Sequence, residues 1–141
     1  MVDRFGPTSV RIDCGNGGSP DDVVNAAEQK TRNTDYDVVV IAIDSDVEIS
    51  DYTRMRIAKL QFHLVTFDPC LECIMLDILD DAVPGHVTCD TCKDRFHERY
   101  IIKRKKTHKS YYERDFGLHI LERARGRVMS LNMLIGFMLD E

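Results

Sequence analysis

The chain has 141 residues, with 24 acidic against 19 basic side chains and a formal net charge of −5 at pH 7. That length can bury a core without metal or disulfide support, and the negative balance excludes indiscriminate polyanion binding by the whole surface. There is no leader-like segment and no apolar run of bilayer length, so the sequence reads as one soluble, cytoplasmic domain over 1–141, and its five cysteines fit free thiols in a reducing compartment.

The alternation in "TSVRIDC", Thr8 to Cys14, predicts a first strand, which "GNGGSPDD" turns into a helix. Ser19 followed by Pro20, Asp21 and Asp22 is a helix start: a cap, a proline in the first turn, and acids where the dipole is positive. This helix is expected to reach about Arg32. Gly17 and Gly18 leave exposed amides that could hold a phosphate, although a tight strand-to-helix turn is the preferred reading. "DVVVIAI", Asp37 to Ile43, is a continuous β-branched run, the pattern of a central strand covered on both faces.

Ser50 then caps a helix with an expected stripe of Tyr52, Met55, Ile57 and Leu60, and "HLVTF", His63 to Phe67, predicts another strand. In "DPCLECIMLDIL", Asp68 reads as a cap and Pro69 as the first helical residue, with Leu71, Ile74, Met75, Ile78 and Leu79 on one face. The β-α-β-α-β-α order predicts an α/β fold with a small parallel sheet and helices on both sides, occupying residues 1–80. Residues 81–141 read as a helical covering region, with helices over Thr88 to Tyr100, Tyr111 to Ala124 and Ser130 to Leu139.

In an open parallel sheet, ligands gather beyond the carboxyl ends of the strands. Asp44 and Asp46 stand there in "IAIDSDVEIS", and while the backbone stays extended, their carboxylates project from one side and can share Mg²⁺ or Mn²⁺. The bland alternative is a pair of acids that cap the next loop. The run "KRKKTHK" supplies Lys103, Arg104, Lys105 and Lys106 as candidate phosphate contacts, with the alternative of a solvated loop. Cys70, Cys73, Cys89 and Cys92 form two C-x-x-C pairs with fifteen residues between them, a spacing that suits a four-thiolate zinc site. Both pairs lie at predicted helix starts and lack the glycine of a zinc knuckle, so packed thiols are the expectation and zinc its alternative.

The segments "GNGGSPDDVV", "DYDVVVIAIDSD", "FDPCLECIMLDIL", "CDTCKDRF" and "LERARGRVMSLNMLIGFM" together resemble bacterial proteins with a Toprim-type domain, near the RloB-like and OLD-like families. The resemblance spans nearly the whole chain in order; D-x-D and "PCLE" are its more specific parts. It implies a three-layer Toprim-like fold and Mg²⁺-dependent cleavage or rejoining of nucleic-acid phosphodiesters, often beside an ATPase partner and in defence against foreign DNA. Asp44 and Asp46 match the acids of D-x-D, and Glu72 matches the acid of the "P-C-x-E" segment as a further catalytic and metal-binding candidate. In similar proteins the positions of Cys70 and Cys92 recur as cysteine, while those of Cys73 and Cys89 are commonly small residues without a thiol.

Toprim domains normally open with a strand that ends in a catalytic glutamate, and only "MVDRFGP" precedes the first strand expected here. Glu28 and Glu48 have no motif to recommend them in its place. Three functions follow: a metal-dependent nuclease that obtains the glutamate from elsewhere, an inactive binding or assembly module, and a zinc-stabilised interaction domain.

Overall fold

The computed structural model describes residues 10–13, 18–101, 109–139 and 141, which form a mixed α/β fold. In chain order these are α1 (Pro20–Thr31), β1 (Val40–Asp44), α2 (Asp51–Lys59), β2 (His63–Phe67), α3 (Leu71–Ile78), α4 (Cys89–Arg99), α5 (Lys109–Asp115), α6 (Leu118–Arg125) and α7 (Met129–Leu139). The chain divides into two compact units, residues 1–66 with 133–141 and residues 67–132.

In the first unit, α1 begins as its residues dictate. The Ser19 hydroxyl accepts from Asp22 N at 3.3 Å, and Ser19 N donates to Asp22 Oδ2 at 2.9 Å, closing a capping box. Gly18 makes room for it: a Cβ there would stand 2.5 Å from Asp22 Cβ. Among the described residues the sheet has two strands, β1 and β2, joined through α2 and parallel to one another. Ile41 and Ile43 of β1 pack with Ile49, Val23, Ala27, Phe62 and Leu64.

Several expectations change in this unit. Val10 to Asp13 carry no strand; Arg11 pairs with Asp13 at 2.8 Å, Asp13 with Lys30 at 3.1 Å, and Ile12 faces solvent, so the alternating pattern has no core to serve. The run 37–43 becomes a strand only from Val40, and Ala42 is exposed between buried Ile41 and Ile43, so β1 is covered on alternate residues and not on both faces. The stripe foreseen on α2 is displaced. Tyr52 and Met55 are exposed, and the buried positions are Thr53 and Ile57. Thr53 is held there by its hydroxyl, which donates to Asp21 Oδ1 at 2.8 Å, while Arg56 spans from α2 to Asn25 and Glu28 of α1 at 2.8 and 2.7 Å.

In the second unit, α3 packs against α4 and α6 around Cys70, Leu76, Cys92, Phe96 and Ile101. Cys70, in extended conformation, is the N-cap of α3; the expected Asp68 cap and Pro69 first residue lie before it, in a cis peptide. Thr88 caps α4, accepting from Thr91 N at 3.3 Å. The single helix expected over 111–124 is interrupted where Gly117 takes an extended conformation and caps α6. Asp81 gathers Arg95 and Arg99, each at 2.7 Å, and the Tyr100 hydroxyl at 2.8 Å.

Candidate functional site

The carboxyl end of β1 opens on a cleft of about 330 Å³, lined by residues 45–49 with Arg54 and Thr66. Three elements place these groups. β1 delivers the acidic turn, Ser50 caps α2 so that Arg54 leaves its first turns, and β2 contributes Thr66. Asp46 and Glu48 are exposed at the cleft wall, and Asp44 is half-buried as the last residue of the strand. Two carboxylates and a guanidinium around one concavity offer hard oxygen donors for a divalent cation and a positive partner for a phosphate.

The route to this arrangement differs from the expected one. A turn begins at Ser45, so Asp44 and Asp46 do not project side by side from an extended strand. Asp46 lines the cleft together with Glu48, which had no motif to recommend it; the i, i+2, i+4 spacing of Asp44, Asp46 and Glu48 is the signal that could have found it. Arg54 and Thr66 carry no sequence signal of this kind. Their place comes from the β1-α2-β2 crossover itself.

Glu72 lies in the second unit, half-buried in the first turn of α3, where an acid also complements the helix dipole. Burial of Tyr112, and secondarily the nearby Glu72 carboxylate, pushes the Tyr112 phenol above its usual pKa. The Ser19 amide is committed to the capping box, where it donates to the Asp22 carboxylate, and Gly17 lies outside the described residues. Lys103, Arg104, Lys105 and Lys106 lie outside the described residues.

The cysteines overturn the expectation of free thiols throughout. Cys73 and Cys92 form a disulfide, and the sulfur of buried Cys70 lies 3.6 Å from that of Cys73. The geometric reason is the packing of α3 against α4, which brings one cysteine from each helix start to the same core position. With that bond made, Cys70 and Cys89 keep thiols. Among the described residues, no group of three or more histidine, cysteine, aspartate or glutamate side chains is arranged to hold a metal ion. No described helix is long and apolar enough to cross a membrane.

Compared with known proteins, the chain matches no protein-family model, no curated protein and no solved structure.

Proposed function

We propose that the chain carries out divalent-metal-dependent phosphodiester chemistry on nucleic acid, at the carboxyl end of β1. The observation that supports this most is the cleft itself: Asp46 and Glu48, two and four residues beyond the strand-ending Asp44, share it with Arg54. The donor set fits Mg²⁺ or Mn²⁺, because carboxylate oxygens suit a hard cation that keeps part of its water shell. Asp44 and Asp46 are the residues that would hold it, and Glu48 lines the same cleft as Asp46. A bound divalent cation neutralises charge on a phosphoryl group and lowers the pKa of attached water.

The chain's own groups divide the remaining work. Arg54 pairs with a phosphate oxygen at the cleft, and Lys103 to Lys106 contact the backbone elsewhere along the strand. The resemblance to Toprim proteins supports the class of reaction and adds an ATPase as partner in a cytoplasmic defence setting; Glu72, which it also nominates, belongs to the other compact unit.

The test uses the full chain with supercoiled plasmid and with single-stranded RNA, in Mg²⁺, Mn²⁺ or chelator. Metal-dependent strand cleavage is expected. Asp44→Asn and Asp46→Asn should each lower its rate by roughly 100-fold or more, the scale of losing a principal source of transition-state charge stabilisation. An unchanged rate in either variant, or absence of turnover by the parent chain with both ions, overturns the reading; the second result points instead to an inactive binding module.

A further inference from the structure

Three sulfurs of the second unit meet at the start of α3, and the phosphodiester chemistry uses none of them. Cys73 and Cys92 are bonded to each other, tying the first turn of α3 to α4 across 19 positions of sequence. Cys70 keeps its thiol, is wholly buried, and holds its sulfur 3.6 Å from that of Cys73. Since the bonded Cys73 sulfur carries no hydrogen, the Cys70 thiol is the donor in that contact. As the N-cap of α3, Cys70 has an extended backbone and its side chain makes no capping hydrogen bond, so the thiol is not committed to the helix start. Leu76, Phe96 and Ile101 belong to the same buried core, and Cys92 is only 1% exposed. Packing thus seats a nucleophile against a disulfide sulfur at close to reacting distance, away from competing thiols in solution.

We infer that Cys70, Cys73 and Cys92 form an internal thiol–disulfide exchange centre that moves the disulfide between an inter-helix and a local position. The Cys70 thiol gives up its proton and its sulfur attacks Cys73 Sγ. The Cys70–Cys73 bond forms as the Cys73–Cys92 bond breaks, and the departing electron pair stays on Cys92 Sγ, which takes up a proton. One disulfide and one thiol are present before and after, so the step needs no oxidant or reductant. The new bond closes within the C-x-x-C of residues 70–73, a spacing that dithiol–disulfide proteins use for reversible bonds. The consequence is mechanical. With Cys73–Cys92 closed, α3 and α4 are covalently joined; with Cys70–Cys73 closed, only noncovalent contacts hold them, and the chain between them is no longer part of a covalent ring. The helical unit therefore has a clamped and an unclamped state of equal oxidation level.

In the experiment, the full chain is purified without reductant, incubated in neutral buffer and quenched in acid. Free thiols are alkylated in acidic denaturant, where exchange stops, and the disulfide isomers are identified by peptide mapping. Two are expected: Cys73–Cys92 with Cys70 labelled, and Cys70–Cys73 with Cys92 labelled. Asp44→Asn should keep both, so failure here is distinguishable from failure of the phosphodiester reading. Cys89→Ser should keep both as well, and loss of the second isomer there would overturn the assignment of Cys70 as the nucleophile. Cys92→Ser, oxidised with glutathione disulfide, should form Cys70–Cys73 in place of the lost bond; a folded variant without it overturns the inference. If that variant does not fold, the parent chain decides: Cys73–Cys92 as the sole isomer, with Cys70 labelled throughout, overturns the inference. So do bonds to Cys14 or Cys89 at a share matching Cys70–Cys73, the pattern of scrambling in an unfolded chain.

Discussion

Asp81 shows how one carboxylate can organise a helical unit. It accepts from Arg95, Arg99 and Tyr100, and only 16% of its side chain is exposed. The hydrogen bond from Arg95, then that from Tyr100, hold its pKa well below the ordinary value of 3.8. A carboxylate depressed in this way adds stability that is fully present above the unfolded pKa and is lost as pH falls below it towards the folded value. Asp81→Asn should therefore lower the melting temperature at pH 7, and the gap between variant and parent should begin to narrow below about pH 4 and keep narrowing as pH falls further towards the folded value. Thermal unfolding followed across that range checks it. A gap independent of pH would mean that Asp81 acts through shape alone. No motif marks this residue, because its three partners lie 14, 18 and 19 positions away and meet it only once α3 and α4 are packed.

Helix ends separate what is local in this fold from what is not. The starts of α1, α2 and α4 were legible in sequence, since Ser19, Ser50 and Thr88 each accept from a backbone amide three residues on, a contact that depends on nothing distant. The ends of α2 and α3 were not. Gln61 and Asp80 adopt left-handed conformations with φ of 58° and 57°, and the next residue closes each helix by donating back, Phe62 to Ile57 at 3.0 Å and Asp81 to Leu76 at 2.8 Å. Glycine ordinarily marks that position, and here none does. Gln61→Gly should consequently stabilise the protein by about 1 kcal/mol, the cost of the left-handed conformation for a residue with a Cβ. Urea denaturation reads this directly, and a destabilised variant would show that the Gln61 side chain supplies more than it costs. The same division explains the candidate site. Asp44 and Asp46 were visible as a pair at the end of a strand, whereas Arg54 and Thr66 reach the cleft only through the crossover that follows it. The disulfide was hidden for a similar reason: spacing suggested four equivalent thiols, and only the packing of α3 on α4 selects Cys73 with Cys92.

At the scale of the whole molecule, a nucleic-acid function must overcome a net charge of −5. An acidic protein is repelled by a polyanion at long range, and the Debye length of about 8 Å at physiological salt confines any attraction to a local cationic feature. The run from Lys103 to Lys106 is the compact one, with four consecutive cations. If those four neutralise four phosphates of duplex DNA, counterion release fixes the slope of log affinity against log salt at about −3.6. Binding is measured in chelator, so that cleavage does not consume the DNA. Replacing the four residues by alanine should flatten that slope towards zero and weaken binding most at low salt, without altering the Asp81 pH profile. Asp44→Asn should leave the slope unchanged, because it removes a negative charge at the cleft and no phosphate contact. An alanine variant that keeps the parent slope would move the nucleic-acid surface away from this run and leave Arg54 at the cleft as the starting point for locating it.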